Sequence, residues 1–147
     1  MTATEKKNNE KKGAEGTAPA PVKKARKKKA VRQVAHGCAY IQATFNNTIV
    51  TFTDLNGNTL AWSSAGACGF RGPKKSTPYA ASTIIKTLAD KIKEIGLKEL
   101  NVFVSGVGSG RDASVRALNG NGFQILAIKD ITGLPHNGCR PSRPRRI

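Results

Sequence analysis

The sequence predicts an α/β domain: a mixed five-stranded sheet in the order β-β-β-α-β-α-β, with helices packed on it and an extended basic tail at each end. Three observations carry this expectation. Alternating and β-branched segments separated by Asn- and Gly-containing turns fill residues 38–63. Apolar residues then recur at helical spacing from Ala81 onward. Finally, the charge is segregated. Of 25 Lys and Arg and 9 Asp and Glu, residues 1–33 hold 11 bases against 3 acids, and residues 133–147 hold 4 arginines and no acid. The remainder, residues 34–132, reads as an ordinary, mildly basic domain.

The elements follow in chain order. The domain is expected to begin near Val34, and Cys38, Tyr40, Gln42 and Thr44 alternate with Ala39, Ile41, Ala43 and Phe45, which suits a first strand. Asn46-Asn47 is a tight-turn candidate because Asn tolerates positive φ. Thr48 to Thr53 is a β-branched second strand, Asp54 to Asn58 a turn, and Thr59 to Ser63 a third strand. Turns this short force an antiparallel meander. After the glycine-rich link 65–72, Thr77-Pro78 reads as an N-cap with proline at the first helical position. Ala81, Ile84, Ile85, Leu88, Ile92 and Ile95 form the apolar stripe of this helix, which Gly96 stops. Leu100 to Ser105 is a fourth strand, Asp112 to about Asn119 a short helix, and Phe123 to Ile128 a fifth strand. Both later strands follow helices, so right-handed crossovers should lay them parallel to a neighbour in the meander.

The tails point to a polyanion. Residues 23–32 hold seven positive charges and no negative one, with Lys27, Lys28, Lys29 and Arg32 at their end. The segment buries too little apolar surface to fold alone, so residues 1–33 are expected to be a disordered basic extension that orders on a partner. At the other end, His136-Asn137 is expected to set a turn into a tail carrying Arg140, Arg143, Arg145 and Arg146, with three prolines holding it extended. A membrane surface would want an apolar face beside the basic one, and residues 1–33 offer almost none. With no spanning run and no signal segment, a cytosolic protein is expected.

Two internal segments suit phosphates. Arg71, Lys74, Lys75 and Ser76 gather just before a helix start, where free N–H groups attract anions. Gly106-Val107-Gly108-Ser109-Gly110-Arg111 joins a strand to a helix, with Gly108, Gly110, Arg111 and Arg116 as candidate contacts to a nucleic-acid backbone. This second loop also suggests half of a dinucleotide-binding unit, with Asp130 twenty residues past Gly110. Its glycine spacing is one short, and Arg111 would stand where the cofactor needs room. No metal site is expected: His36 with Cys38 and His136 with Cys139 are close pairs, but neither spacing is a standard zinc pattern. The acids are scattered and no nucleophile motif appears, so neither an enzyme nor a cofactor is expected. Aromatics are few and most fall on strand or helix positions, where core packing is the expected role. Backbone charge and the shape of folded RNA are therefore the expected basis of recognition.

Three segments are familiar as residues: Phe45-Asn46-Asn47-Thr48-Ile49-Val50, then Ala65-Gly66 with Gly69-Phe70-Arg71-Gly72 and Lys75-Ser76-Thr77-Pro78, and last Pro135-His136-Asn137-Gly138-Cys139-Arg140-Pro141. In this order they resemble the bacterial form of small-subunit ribosomal protein eleven, from about Ala35 to Ile147. The resemblance implies a ribonuclease-H-like fold without that enzyme's carboxylate centre. It implies a structural role on the platform of the small subunit, against ribosomal RNA and near the messenger exit path and its start-site helix. Implied protein neighbours are small-subunit proteins six, seven, eighteen and twenty-one. Asn46 and Asn47 join the expected RNA contacts, beside their turn-forming role. In one departure from the family pattern, Val107 and Ser109 replace the two prolines of its glycine loop. A free RNA- or DNA-binding protein outside the ribosome is the alternative reading.

Overall fold

The computed structural model describes residues 33–144. The expectations for residues 1–32 and 145–147, including those for Lys27, Lys28, Lys29, Arg32, Arg145 and Arg146, lie outside the described residues. Strand β1, His36–Ala43, begins after Val34, whose N–H donates to the Ile95 carbonyl (3.1 Å). Its alternation sends Ala39, Ile41 and Ala43 into the core and leaves Tyr40 and Gln42 exposed. Gly37 is required by close approach: a β-carbon there would collide with the Thr53 carbonyl oxygen and a Leu97 methyl.

The turn into β2, Thr48–Asp54, differs from the expectation. It centres on Phe45-Asn46, closed by Thr44 and Asn47. The Thr44 N–H donates to the Asn47 carbonyl (2.9 Å), and the Thr44 hydroxyl accepts from the Asn47 N–H (3.0 Å). Neither Asn46 nor Asn47 uses positive φ; among described non-glycine residues only Asn137 does, at 52°. A threonine side chain closing the backbone accomplishes what the asparagine backbone was expected to do. The next turn follows expectation more closely, with Gly57 at φ 85° and Asp54 accepting from the Leu55 N–H (2.7 Å). Strand β3, Thr59–Ser64, completes the meander.

A short 3₁₀ turn, Gly72–Ser76, stands where a loop was expected. Helix α1, Pro78–Ile92, starts as its sequence dictates: Pro78 follows the Thr77 N-cap, whose side chain accepts from the Ala80 N–H (3.3 Å). The regular helix ends at Ile92. The Ile95 and Gly96 N–H groups both donate to the Ile92 carbonyl, and Gly96 sits at φ 79°. Strand β4, Glu99–Ser105, leads to helix α2, Gly110–Gly120, and then to strand β5, Gln124–Asp130.

The strand order is β3-β2-β1-β4-β5. Strand β4 runs parallel to β1, as the crossover argument requires. Strand β5 does not reach the meander; it lies parallel to β4, at the sheet edge. The reason is reach: β4 already occupies the open side of β1, and an 11-residue helix carries the chain only to the next vacant position.

Both helices lie on one face of the sheet. Ile84, Ile85, Leu88 and Ile92 of α1 and Leu118 of α2 pack on Ala39, Ile41, Val50, Phe52, Leu100 and Val102. Each large aliphatic side chain buried there contributes about 1.5–3 kcal/mol. No described helix covers the other face.

The candidate nucleic-acid interface

The sheet order fixes where the candidate residues meet. The ends of β1 and β4 and the starts of α1 and α2 share one end of the molecule. The loop 106–110 is pressed onto the β1–β2 turn: the Gly108 N–H donates to the Ala43 carbonyl (3.0 Å). A β-carbon at Gly106 would collide with the Ala43 carbonyl oxygen, one at Gly108 with the Thr44 carbonyl, and one at Gly110 with the Thr48 hydroxyl. Gly108 and Gly110 are buried. Their glycine character answers to packing within the chain, and neither presents an open surface to a phosphate. The Ser109 hydroxyl donates to the Ser76 carbonyl, tying the two helix-start loops together.

Loop 71–77 is the open counterpart. Arg71 and Lys74 are exposed and Lys75 is half-buried. A cleft of about 480 Å³ is lined by Asn46, Gly72, Pro73 and Lys75. It joins the β1–β2 turn to the cationic loop, a union that sequence separation concealed. Asn46 is exposed and free to meet a ligand there. Asn47 is half-buried, with its side-chain oxygen enclosed and without a hydrogen-bond partner. The Ser76 hydroxyl donates to the Pro73 carbonyl (3.1 Å) and the Thr77 hydroxyl to the Lys74 carbonyl (2.9 Å), so both hydroxyls brace the loop that carries the cations.

Arg111 has an internal assignment that the sequence reading missed. One guanidinium nitrogen donates to Asp130 (2.7 Å) and the other to the Gly106 carbonyl (3.0 Å). Asp130 also accepts from the Thr132 hydroxyl (2.6 Å) and N–H (2.9 Å). Arg111 first, and then Thr132, hold the Asp130 carboxyl well below the usual carboxylate range. Arg111 thus clamps the loop to the end of β5. It also takes the very acid that a dinucleotide ribose would need. The available signal was a cation at the start of α2 and an acid at the end of β5, the two ends that the crossover brings together. Arg116 lies further along α2, exposed, on a groove of about 520 Å³ that it shares with Val115, Ile125 and Ile128. It does not join the 71–77 cluster.

The other predicted features resolve simply. His136, Asn137, Arg140 and Arg143 are exposed in a segment without regular structure. His36 Nδ1 lies 2.8 Å from Glu99, and Lys93 pairs with Asp90 at 2.7 Å, as the spacing on the helix surface suggested. Lys93 lowers the Asp90 carboxyl from its ordinary value. Among the described residues no group of three or more His, Cys, Asp or Glu is arranged to hold a metal, and no helix is long and apolar enough to cross a membrane.

A family model described as Ribosomal protein S11 matches residues 37–146. The chain belongs to that family. Membership makes it a ribosomal protein of the small subunit, a component of a ribonucleoprotein that binds ribosomal RNA and serves translation. The matched span takes in the cleft, both helix-start loops and most of the arginine tail.

The aromatic side chains overturn the expectation of core packing. Only Phe52 and Phe123 belong to the buried core. Phe45, Tyr79, Trp62 and Tyr40 are all exposed, and Phe103 stacks on Tyr40 with ring centres 5.0 Å apart and planes 13° from parallel. Strand periodicity placed Tyr40, Trp62 and Phe103 on strands correctly, but it does not say which of the two faces a helix will cover; Phe45 falls in the β1–β2 turn and Tyr79 on α1.

Proposed function

We propose that the chain is a structural fastener of ribosomal RNA on the platform of the small subunit, close to the messenger exit path and its start-site helix. The carrying observation is the cleft in which Asn46, Gly72 and Lys75 meet beside Arg71 and Lys74. Residues distant in sequence gather there into one cationic, partly concave end. The core 34–132 is the positioning body. The extension 1–33 and the tail 133–147 are its arms. A five-stranded sheet of an antiparallel meander followed by two parallel strands supports the ribonuclease-H-like architecture implied by resemblance. Small-subunit proteins six, seven, eighteen and twenty-one are the proposed neighbours, and the bacterial cytoplasm the proposed location. The role is architectural, without catalysis.

Backbone recognition releases counterions, so the salt dependence of affinity reports how many phosphates are neutralised. Truncation after Cys139 removes Arg140, Arg143, Arg145 and Arg146. It should lower the slope of log affinity against log salt by roughly 0.7–0.9 for each phosphate no longer neutralised. The measurement is a titration of a small-subunit RNA fragment at several salt concentrations. An unchanged slope would contradict the role of the tail.

A further inference from the structure

The sheet face opposite the helices carries a row of side chains in register across all five strands. Trp62 of β3 pairs with Thr51 of β2, Thr51 with Tyr40 of β1, Tyr40 with Phe103 of β4, and Phe103 with Lys129 of β5. Four strand spacings make this row about 19 Å long. Trp62 is 60% exposed and Tyr40 38%. Tyr40 and Phe103 stack on each other on the rigid sheet, and Trp62, on the far side of Thr51 from Tyr40, has no described aromatic partner and contributes nothing to the core. They offer flat apolar faces at fixed positions.

We propose that this face is a stacking platform for unpaired RNA bases, continuous with the cationic end described above. The inference rests on the RNA-binding reading and adds a second mode to it. Three features favour RNA bases over a protein segment. First, charge: the open-face strand positions bear Lys129 and a single carboxylate, Glu99, which His36 already faces at 2.8 Å. The face is thus close to neutral by itself, while the chain that carries it, with 25 basic and 9 acidic residues, draws a polyanion. Second, chemistry: the next row, Ser64, Ile49, Gln42 and Ser105, is mostly polar, with amide and hydroxyl groups suited to base edges beside the rings. An aliphatic surface would suit a protein core instead. Third, direction: β1 runs from Tyr40 toward the turn that carries Asn46, about 13 Å further on. A strand whose bases lie on the rings can therefore bring its phosphates to Arg71 and Lys75.

Trp62 is the chain's one tryptophan, so its emission reports on the platform alone. The experiment titrates the full chain with an oligouridylate about ten nucleotides long. A parallel titration uses an abasic oligomer of the same length, and both are repeated across a range of salt. Trp62 emission should be quenched by the oligouridylate and much less by the abasic oligomer. In anisotropy titrations with labelled oligomers, Trp62→Leu should weaken oligouridylate binding, extrapolated to molar salt, by about 5- to 100-fold while leaving the salt slope unchanged. Trp62→Phe should restore most of the loss, and an unshifted thermal melt of both variants excludes misfolding. Salt-dependent binding with unchanged Trp62 emission and equal affinity for the two oligomers would overturn the platform, leaving the phosphate contacts intact and the face to a protein neighbour. Binding without any salt slope would remove the phosphate reading on which the platform depends.

Discussion

Loops 69–77 and 106–111 both join a strand to a helix, and both contain glycines, a serine and at least one cation. Their surroundings are opposite. In the first, Gly69 and Gly72 adopt φ 89° and 56° with open space around them, and the cations face outward. In the second, Gly106, Gly108 and Gly110 are wedged against Ala43, Thr44 and Thr48, and Arg111 holds Asp130. A glycine–cation signature therefore describes two different objects: an open loop poised for a ligand, and a latch, packed through its glycines, that fixes where the open loop stands. The Ser109 hydroxyl on the Ser76 carbonyl is the join between them.

The largest expected effect comes from breaking the latch. Gly108→Ala should destabilise the domain by about 3 kcal/mol, because the new methyl must displace backbone. Gly72→Ala meets no atom and should cost only about 1 kcal/mol, from its positive φ. Urea melts of the two variants measure the contrast, and equal losses would erase the distinction between the loops.

A smaller effect concerns acid. The Asp130 carboxyl is lowered in the folded state, so its contribution to stability is fully present above the ordinary value of 3.8 and is lost as the pH falls below it toward the folded-state value. Arg111→Gln removes the chief cause of the lowering. The stability gap between the natural chain and this variant should be constant near neutrality and close progressively below pH 3.8. Chemical denaturation at stepped pH measures it. A gap independent of pH would mean that Arg111 acts on the loop through the Gly106 carbonyl alone.

Much of the fold was legible in the sequence because local rules acted locally. Thr77-Pro78 started its helix, Gly96 closed the following turn, and the β-branched run at Thr48 became a strand. The differences came where a partner outside the motif, near or far in sequence, decided. Asn46-Asn47 suited a positive-φ turn, but the Thr44 side chain closed the hairpin one step earlier. Strand β5 went outside β4 because the place beside β1 was taken. Arg71 and Lys74 stand exposed and Lys75 half-buried before the helix start, whereas Arg111 met an acid 19 residues away. Tyr40, Trp62 and Phe103 were assigned to strands correctly and to the core incorrectly, since alternation has no knowledge of which face helices will choose.

The most direct test compares the two loops by the salt dependence of binding to small-subunit RNA. Replacing Arg71, Lys74 and Lys75 together with alanine should reduce the slope of log affinity against log salt by about 2 to 3, and Arg111→Gln should leave it unchanged. A slope untouched by the triple substitution, or lowered equally by Arg111→Gln, would contradict the assignment of one loop to the ligand and the other to the scaffold.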